Sequence, residues 1–188
     1  VLLEPYGGEI LHLSVGDTTT LTATLAIGGL LGFGLASRIL SRGADPFRMA
    51  GSGAMVGIPA FMLVICAAPL QSSMLFGLGT LLIGFGAGLF GHGTLTATMN
   101  LAPENQTGLA LGAWGAVQAT AAGIAVAFGG IIRDIVAMFS GSAAGYVSVY
   151  CIEIILLVAT IIIMVPLIKK TVSAEAVSIK AQTPPANA

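Results

Sequence analysis

Charged residues are spaced so widely along this chain that the apolar intervals between them define its elements. A bilayer core of about 30 Å is crossed by roughly 20 apolar residues in a helix, and Asp17 and Arg38 enclose 20 uncharged residues. Arg48 and Glu104 enclose 55, enough for two helices, and Pro69-Leu70-Gln71-Ser72-Ser73 supplies the turn between them. Glu104 and Arg133 enclose a further 28, and a last apolar run begins near Tyr146. The pattern predicts an all-α multi-pass membrane protein with spans at 18–40, 47–68, 74–100, 107–132 and 146–168. Residues 1–170 form the bundle, and 171–188, ending in Thr183-Pro184-Pro185, read as a flexible tail.

Val1 to Leu3 is too short to span and reads as the end of a helix entered part-way, as in a piece of a longer protein without a cleavable leader. From Glu4 to Asp17 the chain reads as a compact segment on the membrane surface, with Tyr6 at the boundary.

Composition sharpens this picture. Of 188 residues 56% are hydrophobic and 8% charged, with a mean hydropathy of +0.98. A soluble domain carries roughly 25% charged residues, so a soluble enzyme is excluded. The formal net charge of −1 leaves no basic excess for phosphates, which excludes nucleic acid as a partner. Cys66 and Cys151 lie apart in apolar stretches with no second ligand at metal spacing, so neither a disulfide nor a metal site is expected.

Basic residues set the orientation, because Lys and Arg near helix ends stay cytoplasmic. Arg38, Arg42 and Arg48 flank the first connection, and Lys169, Lys170 and Lys180 follow the last span. Five alternating spans put both groups on one side, with Arg133 and its neighbour Asp134 opposite and the C-terminus cytoplasmic.

Small residues four apart let helix backbones approach. Gly28 and Gly32, Gly53 and Gly57, Gly84 and Gly88, and Gly108 and Gly112 make one such pair in each span but the last. The last is Ile-, Leu- and Val-rich and reads as peripheral, the third and fourth as interior. Seven glycines between Gly77 and Gly93 surround His92, giving the third span a bare face. That face serves either close helix packing or as a cavity wall for a large flat ligand.

His92 is the one histidine within a span, and an ionisable group there is a functional candidate. Two readings stand: a hydrogen bond between helices, or an axial ligand to a macrocyclic metal with Gly88, Gly91 and Gly93 clearing its approach. Trp114 and Gln118 share a face of the fourth span and would wall the same cavity or simply pack. Glu153, about two turns into the last span, is read as close to the interface.

The connection Gly32-Phe33-Gly34-Leu35-Ala36-Ser37-Arg38-Ile39-Leu40-Ser41-Arg42-Gly43-Ala44-Asp45-Pro46-Phe47-Arg48 resembles the cytoplasmic loop between the second and third helices of each half in major facilitator transporters. It departs from that pattern in having its acid, Asp45, after the basic pair. Four stretches resemble the PucC-like and LhaA-like family of light-harvesting assembly proteins, the bacteriochlorophyll-delivery branch of that superfamily. They are Val1-Leu2-Leu3-Glu4-Pro5-Tyr6-Gly7-Gly8, Arg42-Gly43-Ala44-Asp45-Pro46, 84–95 and 109–120.

This resemblance implies a twelve-helix protein of which the chain is the C-terminal six-helix half, from the end of helix seven to helix twelve. It also implies a non-enzymatic role in assembling light-harvesting complexes in a bacterial inner (intracytoplasmic) membrane, holding or supplying bacteriochlorophyll. The implied partners are lipid, antenna polypeptides of light-harvesting or reaction-centre complexes, and the N-terminal half of its own chain. A secondary transporter of a small solute and a structural membrane subunit are the alternatives.

Overall fold

The computed structural model of the protein describes residues 2–182, and side chains as far as Ile168. Among the described residues there are six helices and no strand: α1 (Leu3–Ile10), α2 (Val15–Leu40), α3 (Pro46–Ala67), α4 (Ser73–Leu101), α5 (Thr107–Ser140) and α6 (Ser142–Gln182). Five of them, α2 to α6, are long and apolar enough to cross a membrane.

Local chemistry sets the helix starts. Ser14 and Asp17 form a reciprocal capping box at α2, each side chain serving the other's backbone N–H. Asp45 caps α3, accepting from the Phe47 N–H at 2.8 Å, with Pro46 in the first turn. Ser72 caps α4. Two boundaries depart from the expected ones. The loop expected at 133–145 is helical on both sides of Gly141, whose φ of +85° makes the reversal in one residue. α6 also continues to Gln182, beyond the expected boundary at 170, because no Gly or Pro interrupts 171–182; 183–188 lie outside the described residues.

Glycine rows determine the packing. On α4, Gly84 and Gly88 lie against backbone of α2 at Leu25, Gly29 and Gly32, and reciprocally Gly28 and Gly32 lie against Leu81 and Phe85 of α4. A second row, Gly79, Gly86 and Gly93, is spaced by seven and faces α3: a Cβ at Gly86 would stand 2.7 Å from the Gly53 carbonyl, and one at Gly93 2.8 Å from that of Pro46. α4 is therefore the central helix, held backbone to backbone between α2 and α3. α6 packs along α3 and α5.

The fourth span, expected to be interior, is α5, which has no buried residue among the described residues, and Gly108 and Gly112, expected as a packing pair, have no described atom within 4 Å of an added Cβ. Its close contact is instead at the far end, where Gly145 of α6 meets the Arg133 carbonyl. Tyr6, expected at the membrane boundary, is fully buried: α1 tucks its ring among Phe76, Tyr146 and Tyr150 at centroid distances of 5.3–5.5 Å, and its hydroxyl donates to the Val64 carbonyl. Aromatic area and a satisfied hydroxyl together outweigh the interfacial preference of a lone tyrosine.

Candidate intramembrane site

The residues expected to wall one ligand cavity around His92 are distributed over three faces of α4. Gly88 is covered by α2 and Gly93 by α3, while Gly91 is open. His92 itself is half-buried against Phe33 of α2, ring centroids 4.2 Å apart and nearly edge-on. Trp114 donates its indole N–H to the Thr94 hydroxyl at 3.3 Å, and Thr94 in turn donates to the Phe90 and Gly91 carbonyls. Thr94 is two positions beyond His92, about 200° around the helix. Trp114 therefore meets the opposite side of α4 from His92, and Gln118, half-buried on α5, makes no hydrogen bond among the described residues. Of the two imidazole nitrogens Nδ1 is buried without a partner among the described residues.

At the end of the bundle where α2 meets α3, Arg38, Arg42 and Arg48 form no ion pair among the described residues. Asp45 is engaged as a cap through Oδ1 and leaves Oδ2 buried and unpaired. A cleft of about 360 Å³ opens there, lined by Ile39, Gly43, Asp45, Arg48, Met49 and Ser52.

The opposite end is closed by a network that sequence reading missed. Arg133 pairs with Glu9 at 2.8 Å and Asp134 at 2.5 Å, lies over the Tyr146 ring at 4.7 Å, and donates to the Tyr146 hydroxyl at 2.6 Å. Tyr146 in turn donates to Glu9 at 2.7 Å. Hydrogen bonds from Ser142 and Tyr146, with the Arg133 charge beside them, hold the Glu9 carboxyl below its usual range. These groups come from α1, α5 and α6, up to 137 residues apart, so no local motif announces them.

A cavity of about 320 Å³ opens between α3, α4 and α6. Its floor is Gly53, Ala54, Gly57, Ile83 and Gly86, all buried, with Phe61 and Phe90 as aromatic walls. Leu156 and Ala87, both exposed, form the rim. Glu153 lines it, and also lines a smaller cavity of about 150 Å³ on the other side of Phe61. Because α6 starts at Ser142 rather than near Tyr146, Glu153 lies about 16 Å along the helix. That is close to the centre of the apolar Ser142–Ile168 stretch and about 10 Å along α6 from the polar network at Tyr146. It has no hydrogen bond or ion pair among the described residues.

Comparison with known proteins places the sequence in a family. A family model described as PUCC protein matches residues 1–172. Protein PucC of Cereibacter sphaeroides is 54% identical over 179 residues, covering 93% of this chain and 39% of the relative. Protein PucC of Rhodovulum sulfidophilum is 62% identical over 136 residues, 72% of this chain and 30% of the relative. A more distant relative, the bacteriochlorophyll synthase 44.5 kDa chain of Rhodobacter capsulatus, is 29% identical over 164 residues, 84% of this chain and 38% of the relative. The chain thus spans less than two fifths of the length of these curated relatives. No solved structure matches it. With nearly its whole length matched by one family model, this multi-pass helical chain belongs to the PucC protein family.

Proposed function

We infer that the protein assists assembly of photosynthetic light-harvesting complexes, holding or supplying bacteriochlorophyll for antenna polypeptides. The match to PucC proteins along 1–172 carries this reading. The name of the distant relative, which refers to bacteriochlorophyll, supports it. On this reading the chain is the C-terminal half of a major-facilitator-type bundle in the bacterial inner membrane, with the Arg38 to Arg48 connection and the C-terminus cytoplasmic. The protein acts by binding and handover rather than by catalysis. The exposed face of α5, bare at Gly108, Gly112 and Gly115, is then the surface available to the rest of the protein or to an antenna helix.

His92 is the point at which the pigment as cargo fits. The half-buried imidazole offers Nε2 as a suitable axial nitrogen for a tetrapyrrole magnesium, and the adjoining Gly91 surface is open. Ligation through Nε2 puts the ring proton on Nδ1, which has no acceptor, whereas ligating histidines ordinarily donate that proton. That omission costs about 1–3 kcal/mol, which suits a carrier that must release its cargo.

The test is the absorption spectrum of the protein purified from its native membrane. His92→Leu should leave the folded protein in the membrane with less pigment and less antenna assembled, and His12→Leu should do neither. Wild-type pigment and assembly in His92→Leu would remove the ligand role. A second reading, a secondary transporter, draws on Glu153 as a carboxyl within the last apolar span; a colourless preparation that binds a small solute would favour it.

A further inference from the structure

Glu153 presents an energetic problem that its own helix does not solve. Tyr146, Tyr150, Glu153, Leu157 and Thr160 follow one another on one face of α6 at spacings of four, three, four and three. Each of the others is engaged: Tyr146 with Glu9, Tyr150 through its hydroxyl to the Leu2 carbonyl at 3.1 Å, Leu157 in contact with Gly57, and Thr160 with the Leu156 carbonyl. Glu153 has no partner among the described residues, although a polar group in hydrocarbon costs several kcal/mol when its hydrogen-bonding capacity is unused. It sits in the wall of the 320 Å³ cavity, so a guest in that cavity is positioned to provide the partner.

Shape and depth define the guest. The cavity is at the low end of the ~300–1,000 Å³ of small-molecule sites, too small for a second helix about 10 Å across or for a whole tetrapyrrole macrocycle. Phe61 and Phe90 line it, so a flat ring has aromatic surface to lie against. The exposed rim at Ala87 and Leu156 leaves the cavity open at the surface of the described bundle, which lets an apolar tail leave. The polar network at Tyr146 and Glu9 lies about 10 Å from Glu153 along α6, so ester groups of bilayer lipids, which stay with such polar groups at the interface, do not reach it. A protonated carboxyl is a hydrogen-bond donor, and the complementary group is a carbonyl.

We propose that the cleft between α3, α4 and α6 binds a single-ring, quinone-type carbonyl compound with an apolar tail, the Glu153 carboxyl donating to the ring carbonyl. The proposal is independent of the pigment reading and uses none of the residues assigned to it.

The test uses the intact protein in phosphatidylcholine nanodiscs, titrated with decylubiquinone and, separately, with bacteriopheophytin a. Decylubiquinone should bind the wild type and shift its carbonyl infrared band to lower frequency. Glu153→Leu should weaken binding at least tenfold and abolish the shift. Glu153→Gln, which keeps a donor, should stay within about threefold of wild type. Ala87→Phe, which retains the carboxyl and fills the rim, should weaken binding with the fold intact by circular dichroism. It supplies the decision if Glu153→Leu does not fold. The proposal is overturned if decylubiquinone does not bind, if Ala87→Phe or a folded Glu153→Leu binds like wild type, or if a folded Glu153→Gln binds as weakly as Glu153→Leu. Glu153-dependent binding of bacteriopheophytin a alone would also overturn it, assigning the cleft to the pigment instead. Loss of quinone binding with pigment retained would leave the assembly reading standing.

Discussion

Gly84→Ala places one methyl group where α4 meets α2, and the effect can be worked from the structure. The added Cβ would collide with the Leu25 carbonyl oxygen and stand 3.0 Å from the Gly29 nitrogen. Both are backbone atoms, so no side chain can turn aside and the helices themselves must separate. Overpacking of this kind costs about 1–3 kcal/mol. With roughly 2–4 °C of melting temperature per kcal/mol for a protein of this size, the expected loss is about 2–12 °C. Gly57→Ala provides an intermediate case, because its Cβ would meet the Leu157 Cδ1 at 2.8 Å and that side chain can move. Gly108→Ala is the control: nothing lies within 4 Å, and replacing a helical glycine gains up to about 1 kcal/mol. The order of melting temperatures in detergent should be Gly108→Ala highest, then Gly57→Ala, then Gly84→Ala. Equal melting of the Gly84 and Gly108 variants would refute the argument that α4 is held between backbones.

Further outcomes follow from the two ends of the bundle. Glu9 has its pKa lowered in the fold by Ser142, Tyr146 and Arg133, so its contribution is present above the unfolded value of 4.5 and lost as pH falls through the lower folded value. Glu9→Gln should therefore flatten the loss of thermal stability on acidification below pH 4.5, and an unchanged acid profile would contradict the network. A single cysteine at Ser41, in the exposed turn after α2, should label from the cytoplasmic side; labelling from the periplasmic side alone would invert the topology.

The fate of individual residues shows where sequence reading succeeds. Four of the five span starts lie within three residues of the helix starts, because charge spacing and capping residues such as Ser14, Asp45 and Ser72 act within a turn of the chain. The α6 start lies four residues before the expected one, which places Glu153 eleven residues into the helix rather than seven. The signal was available: residues 133–145 contain one turn-forming glycine with a helix-compatible sequence on either side, so a loop there was unnecessary. The seven-residue row Gly79, Gly86 and Gly93 was equally visible in the sequence, but a search for glycines four apart passes over it.

What the sequence determined by itself is the medium and the path of the chain: too few charges for water, apolar runs of membrane length, and short connections that force neighbouring spans to run antiparallel. Those are properties of composition and local spacing. Tertiary structure decided which glycines carry weight, and it placed His92 and Trp114 on opposite sides of α4. It also brought Glu9, Arg133 and Tyr146 together and opened a cavity beside Glu153. The reason is physical: in hydrocarbon nearly every helix face is apolar, so the hydrophobic pattern that tells a soluble helix which face to bury is missing. Close backbone fit and the pairing of a few polar groups choose the partners instead, and both depend on atoms far apart in the chain.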